Sequence, residues 1–143
     1  MNFPGCQPAV KAAHGTPEWH DARRAGLGGS DAGIILGLSQ YTTPRQLWLL
    51  KTGRTSPDAG NAYTRCGQLL EDAILERAYY GHALRGGPLG SMRSNERPHM
   101  LANIDGVFDG RLVEIKTTGK SWHGKVPDTY VAQVRHYLSL IHI

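Results

Sequence analysis

The chain has 143 residues, which is enough for one domain with a hydrophobic core and too few for two. Apolar residues make up 40% of the chain and charged residues 20%, as in an ordinary globular protein and unlike a disordered one. The formal net charge of +4 slightly favours polyanionic partners, but it does not distinguish a nucleic-acid-binding protein from any other basic protein.

The cysteines, histidines and apolar segments exclude several other classes of protein. Cys6 and Cys66 form neither a CxxC pair nor a disulfide framework, which fits a reducing compartment. The seven histidines lack the spacing of a zinc site. No apolar run approaches membrane-spanning length, and the first residues lack the apolar stretch of a secretory signal. We therefore expect a cytoplasmic protein that does not act on or in a membrane.

The N-terminal part predicts a loose segment followed by a domain. Residues 1–15 contain two prolines and no hydrophobic period, so we expect a loose segment before a single domain over residues 16–143. Thr16-Pro17 predicts a helix start, with threonine as the N-cap and proline at the first helical position. Gly26–Asp31 is a glycine-rich turn, and Ser30 is expected to cap the next helix. Such a helix start can bind phosphate, although a capped loop between helices is the simpler explanation.

Two further helices follow in the middle of the chain. Thr43-Pro44 predicts a helix that stops at Gly53, with Trp48 packed in the core. The longest helical pattern is Tyr63–Tyr80, which we expect to end at Gly81 as a C-cap. This pattern places Glu71 at the edge of an apolar stripe, where an ion pair on the flank of the helix is the simpler role.

The C-terminal half predicts short strands and a final helix. Short strands are expected around Ala83–Arg85 and Ser91–Ser94. The last helix should cover Asp128–Leu140, with Gln133 and Tyr137 four residues apart on one face. The apolar end SLIHI has no C-cap, so we expect either a domain truncated at its C-terminus or a partner that covers this end.

Asn103–Thr118 predicts a β-hairpin closed by the turn Asp109-Gly110, a preferred pair for a two-residue loop. Counting outward from this turn places Asp105 opposite Glu114, with Lys116 on the same face. Two directly opposed carboxylates destabilise a sheet unless something neutralises them, and a divalent cation does so well. An exposed hairpin with an incidental Glu-Lys pair explains these residues equally well.

Several motifs resemble, in their order, the PD-(D/E)XK nucleases. They are Glu71 on a helix, Asp105 before a hairpin, Glu114-Ile115-Lys116 on the next strand and Gln133-x3-Tyr137 on a later helix. The stretches EWHDARRAGLGGSDAGIILGLSQYTTPRQLWLLKTG and DTYVAQVRHYL, with Gly67-x3-Glu71, resemble the YqaJ-like viral recombinases, the lambda exonuclease family of that superfamily. The similarity runs from about Trp19 to Leu140. It implies an α/β (α+β) fold with a mixed central β-sheet flanked by helices.

The resemblance also implies roles for individual residues. Glu71, Asp105, Glu114 and the backbone carbonyl of Ile115 would hold Mg²⁺, with Mn²⁺ as a substitute. Lys116 would act on the attacking water, Gln133 would orient that water or the scissile phosphate, and Tyr137 would support them. Arg23 and Ser30 match family positions that bind the 5′-terminal phosphate of DNA.

The implied activity is that of a metal-dependent exonuclease that digests linear double-stranded DNA from 5′ to 3′ in phage-type recombination. Such an enzyme would work with a single-strand annealing protein in a bacterial or phage-infected cell, and by family analogy it would form a homo-oligomer, a ring trimer. Two alternatives remain open. One is an endonuclease on the same core, and the other is a DNA-binding module that does not cut.

Overall fold

The computed structural model describes residues 3, 5–9, 16–58, 60–82, 90–108, 110–119 and 121–141. Within these ranges the helices and strands follow in the order β1 (Cys6–Pro8), α1 (Pro17–Arg24), α2 (Gly29–Ile35), α3 (Pro44–Lys51), α4 (Ala62–His82), β2 (Gly90–Ser94), β3 (Leu101–Ile104), β4 (Gly106–Phe108), β5 (Arg111–Val113) and α5 (Asp128–Ile141). None of the helices in these ranges is both long enough and apolar enough to cross a membrane.

Helices and small antiparallel sheets together confirm the α+β class. One sheet has the strand order β1-β2-β3, and the other is the hairpin β4-β5. The expected mixed central sheet thus takes the form, in the described ranges, of two antiparallel pieces, and the parallel pairing seen there is a bridge between Leu27 and Met100. The two pieces meet at Asp105, whose carboxylate accepts the N–H of Ile115 at 2.7 Å, so a side chain replaces the next backbone pairing.

Strand β1 corrects, at Cys6–Pro8, the prediction that residues 1–15 are loose; residues 1, 2, 4 and 10–15 lie outside the described residues. Cys6, Gln7 and Pro8 pair antiparallel with Ser94, Arg93 and Met92, and the side chains of Phe3 and Cys6 are buried. A three-residue edge strand that contains a proline has too few positions for a period-two pattern, so the sequence does not reveal it. Strand β2 confirms the prediction around Ser91–Ser94, whereas the strand predicted at Ala83–Arg85 lies outside the described residues.

The capping residues at the starts of helices α1 and α3 confirm both predicted helices. The hydroxyl of Thr16 accepts the N–H of Trp19 at 3.3 Å. At α3 the hydroxyl of Thr43 accepts the N–H of Gln46 at 3.2 Å, and the amide oxygen of Gln46 accepts the N–H of Thr43 at 2.8 Å. Each helix therefore begins where a side chain satisfies a backbone donor that the helix itself cannot satisfy.

Two details of the predicted helices are wrong. Trp48 does not pack in the core: its side chain is 49% exposed and lies under the guanidinium of Arg54, while the neighbouring Leu47 is buried. In a run of four apolar residues on so short a helix, the period does not tell which one points inward. Helix α4 runs through Gly81 to His82, so Gly81 is not a C-cap; a glycine costs about 1 kcal/mol inside a helix but does not end it. Cys66 is exposed on this helix.

Helix α2 begins two residues earlier than predicted. Gly28 is the N-cap, and the carboxylate of Asp31 accepts its N–H at 2.8 Å. Ser30 is therefore the second residue of the helix rather than its cap. The reason is that an aspartate three residues after the cap can satisfy the cap's own N–H, so Gly28 makes the better start.

Helix α5 matches its prediction and packs against α2 at very close range. A Cβ atom at Gly29 would lie 2.3 Å from Cε1 of Tyr137, a distance that real Cβ contacts do not reach. The adjoining core contains apolar side chains of both sheets and of α5, among them Ala102, Ile104, Val107, Leu140 and Ile141. The absence of a side chain at Gly29 thus lets the two helices approach until backbone meets ring.

We predict that Gly29→Ala destabilises the fold by about 1–3 kcal/mol, because the added methyl group overpacks the contact with Tyr137. Urea denaturation measures the change in the free energy of unfolding. Gly119→Ala is the matched control, because a Cβ there meets nothing within 4 Å. Equal stabilities for the two variants would contradict the close contact.

Candidate active site

The hairpin has the register from which the sequence predicts Asp105 opposite Glu114. Strands β4 and β5 pair Val107 with Leu112 and Gly106 with Val113, so the next positions outward are these two carboxylates. The hydrogen bond from the N–H of Ile115 to Asp105 fixes the aspartate across the end of the hairpin. The predicted register is therefore confirmed as far as the pair Gly106–Val113, beyond which a side-chain hydrogen bond replaces backbone pairing.

Three predicted residues converge on the carboxylate of Glu114. Its Oε1 accepts hydrogen bonds from Nζ of Lys116 and from Nε2 of Gln133. The same Nε2 donates to the hydroxyl of Tyr137 at 3.0 Å, and both Gln133 and Tyr137 are buried. The structure therefore joins Glu114, Lys116, Gln133 and Tyr137 in one hydrogen-bonded group, although they come from a strand end and a distant helix.

The second oxygen of Glu114, Oε2, is buried and has no hydrogen-bond partner among the described residues. Burial raises the pKa of Glu114 to about 7; the bond with Lys116 opposes this rise, and the negative charges of Asp105 and Glu71 add to it. An ionised buried oxygen without a partner is costly, and a bound cation would satisfy it. The carboxylate oxygens of Glu114, Asp105 and Glu71 are donors of the kind that a divalent metal ion binds.

Helix α4 brings Glu71 toward the same carboxylate. A Cβ at Gly67 would lie 2.9 Å from Oγ1 of Thr117, so the helix passes close to the segment that follows β5. Glu71 comes one turn later, near enough for its charge to raise the pKa of Glu114. Nevertheless, among the side chains that the structure describes, no three of Cys, His, Asp and Glu form a group that could hold a metal ion. Metal binding by Glu71, Asp105, Glu114 and the carbonyl of Ile115 therefore stays a prediction.

The residues predicted to bind a terminal phosphate also lie together. Nη2 of Arg23 donates to the hydroxyl of Ser30 at 3.1 Å, and the guanidinium lies over the ring of Trp19 at 4.8 Å from its centroid. Arg23 lines a cleft of about 770 Å³, whose other charged residues are the cations Arg24, Lys51 and Arg65 and the carboxylates Asp31 and Asp58.

Lys51 is a residue of this cleft that the sequence analysis missed. Its ammonium lies 2.6 Å from Oδ2 of Asp31 and donates to the carbonyls of Arg23 and Gly26, each at 2.7 Å. Lys51 thereby ties the end of helix α3 to the turn that carries the Arg23–Ser30 pair. A lysine in the last turn of a helix is common, so no sequence signal distinguishes this one.

Two aromatic residues were also missed, and they line a second cleft of about 580 Å³ next to Glu114 and Lys116. The rings of Trp122 and Tyr130 lie with centroids 5.5 Å apart, and the ammonium of Lys116 is 5.5 Å from the centroid of Tyr130. Trp122 lies in the loop before α5 and Tyr130 in its first turn, where single aromatic residues carry no readable pattern.

Comparisons with known proteins agree with the resemblance seen in the sequence. A model of the YqaJ-like viral recombinase domain matches residues 18–140. A protein of Bacillus subtilis (strain 168), named Uncharacterized protein YqaJ, is 36% identical over 137 residues; the match covers 87% of this chain and 42% of that protein. The chain thus spans less than half the length of this curated relative.

The raised pKa of Glu114 predicts a pH-dependent stability in the presence of a chelator. Between about pH 4.5 and 7 the folded protein holds a proton on Glu114 that the unfolded chain has lost, so stability should fall as the pH rises through this range. The total loss should be on the order of 3 kcal/mol, since one tenfold change in proton affinity corresponds to about 1.4 kcal/mol.

Denaturation of wild type and Glu114→Gln from pH 4.5 to 8 tests this. Because the variant lacks the titrating group, its free energy of unfolding should rise relative to that of the wild type as the pH rises. Glu96→Gln, at an exposed carboxylate, controls for the loss of one charge. Parallel curves for all three proteins would contradict the assignment.

Proposed function

The chain belongs to the YqaJ-like viral recombinase domain family, and we propose that it is a metal-dependent exonuclease domain that digests linear double-stranded DNA from 5′ to 3′. The observation that carries this proposal is the buried carboxylate of Glu114, with one oxygen bound by Lys116 and Gln133 and the other without a partner. A purely structural ion pair would be expected to satisfy both oxygens.

We propose Mg²⁺ as the metal, with Mn²⁺ as a substitute, held by the carboxylates of Glu71, Asp105 and Glu114 and by the carbonyl of Ile115. An all-oxygen donor set of this kind suits hard cations. When bound, the cation would supply Lewis-acid stabilisation of the negative charge that builds up on the phosphoryl group.

The chain's own residues would position the attacking water and the phosphate. Lys116 carries a positive charge at the edge of the cleft and would orient the water and stabilise negative charge near it. Gln133 donates to Oε1 of Glu114, which leaves Oε2 as the oxygen that the proposed cation would bind. Burial, with the charge of Glu114 adding to it, raises the pKa of Tyr137 well above its ordinary value, so its hydroxyl stays protonated and fixes Gln133.

The Arg23–Ser30 pair would bind the 5′-terminal phosphate. A terminal phosphate carries more negative charge than an internal diester and offers more oxygens, so a guanidinium with a neighbouring hydroxyl would favour it. The ring of Trp19 and the bonds of Lys51 to the backbone hold this pair in place. Anchoring the end of a strand favours an exonuclease over an endonuclease.

We also propose a partner protein, an oligomeric state and a compartment for the reaction. Digestion of one strand from a duplex end leaves single-stranded DNA, the substrate of a single-strand annealing protein, which we propose as a partner. By analogy with the family, we propose a ring-shaped homo-oligomer, and the cytoplasm of a bacterial or phage-infected cell as the compartment.

Lys116→Ala should lower the cleavage rate of linear duplex DNA by about a hundred-fold or more, because a positioned charge at the reacting centre is lost. Binding of Mn²⁺, measured by calorimetry, should persist, since lysine is not a ligand. Lys125→Ala, an exposed lysine outside the site, is the matched control and should retain the wild-type rate. Cleavage by Lys116→Ala near the wild-type rate would contradict the mechanism.

Digestion of a 5′-phosphorylated duplex should be faster than that of a 5′-hydroxyl duplex, and Arg23→Ala should narrow this difference. Ser30→Ala should narrow it less, because a neutral hydroxyl contributes less than a guanidinium. Arg45→Ala removes an exposed arginine from a different helix and serves as the control. A covalently closed circle should resist digestion, and its cleavage would favour an endonuclease.

A further inference from the structure

We propose that the cleft beside Glu114 and Lys116 binds an unpaired nucleobase of the DNA strand, next to the phosphate that is cut. We call it the aromatic cleft, and its apolar walls are Trp122, Val126, Tyr130, Val131 and Val134. This inference rests on the proposed function, since it takes the substrate to be DNA.

The walls of the aromatic cleft suit a flat, weakly polar ligand. The rings of Trp122 and Tyr130 lie 5.5 Å apart at an angle of 50°, and both side chains are partly exposed. Val126, which also lines the cleft, is 48% exposed. A volume of about 580 Å³ falls within the range of small-ligand sites. Stacking on aromatic side chains is the usual way in which proteins hold an unpaired base without reading its identity.

The charges at the rim select a nucleotide over a purely apolar ligand. Lys116 lies at one edge, with its ammonium 5.5 Å from the centroid of the Tyr130 ring, and Arg135 adds a second cation to the lining. A base resting on Tyr130 would therefore keep its own phosphate near an ammonium. An apolar peptide side chain or a lipid chain would leave both cations unused.

The base must be unpaired to enter. In a duplex both faces of a base are covered by its neighbours, so a wall of aromatic rings can contact a face only after the base has left the stack. The inference thus assigns Trp122 and Tyr130 a part in keeping the strand open beside Glu114, at the place where the proposed reaction needs access to a single phosphate.

Equilibrium binding in EDTA tests the inference without any cleavage. The probes are fluorescent 5′-phosphorylated duplexes whose last two 5′ nucleotides are unpaired and either carry bases or are abasic. The wild type should bind the abasic probe about five- to a hundred-fold more weakly, the range expected for loss of a stacked base.

Four variants locate the effect within the protein. Trp122→Leu and Tyr130→Leu should bring the ratio of the two affinities toward one, whereas Tyr130→Phe, which keeps the ring, should preserve it. Trp48→Leu removes an exposed tryptophan that does not line the cleft, and it should keep the wild-type ratio. Circular dichroism establishes that each variant is folded.

Equal affinity of the wild type for both probes would overturn the inference, and this result does not depend on the folding of any variant. A wild-type ratio in folded Trp122→Leu and Tyr130→Leu would also overturn it. A parallel assay with Mg²⁺ separates the two proposals, because preference for bases without cleavage would refute the nuclease and leave the base-binding cleft standing.

Discussion

The contact between Gly29 and Tyr137 sets the spacing of the whole candidate site. On one side of it, Ser30 follows Gly29 directly and meets Arg23; on the other, the hydroxyl of Tyr137 holds Gln133. A Cβ at Gly29 would come within 2.9 Å of the Gln133 side chain as well as touching the tyrosine ring. Helices α2 and α5 can therefore approach this closely only because residue 29 has no side chain, and their approach sets the distance between the two groups of polar residues.

Around Glu114, the balance of energies favours a functional carboxylate. Each charge-assisted hydrogen bond to Oε1 contributes roughly 1.5–3 kcal/mol, whereas burying an ionised carboxylate costs several kcal/mol. The pKa of about 7 indicates that the hydrogen bond and the charge of Lys116 do not fully offset burial and the repulsion from Asp105 and Glu71. Near neutral pH the carboxyl group can therefore gain or lose a proton, and a carboxyl pKa shifted this far in a cleft is more typical of functional sites than of structural ion pairs.

What the sequence predicted was the part that depends on local rules. The Asp109-Gly110 turn determines the register of its hairpin by counting, and a four-residue spacing on a helix brings Gln133 to Tyr137 without knowledge of the fold. Contacts such as that of Lys51 with Asp31 depend on how distant segments pack, and no periodicity encodes them. Ser30 combines a local and a non-local feature. Its proximity to Arg23 was predicted, but its position inside helix α2 was not, because the carboxylate of Asp31 caps the N–H of Gly28 and so moves the helix start to an earlier residue.

Helix α4 carries a cysteine through which its movement can be measured. Of the two cysteines, Cys6 is buried and Cys66 is exposed, one residue before the glycine at which the helix passes close to Thr117. A thiol-reactive fluorophore would therefore attach at one position of the native protein, with no cysteine to be removed or introduced. Attached there, the dye would lie where α4 approaches the segment that follows β5, so its emission would report any movement of this helix when DNA or metal is added.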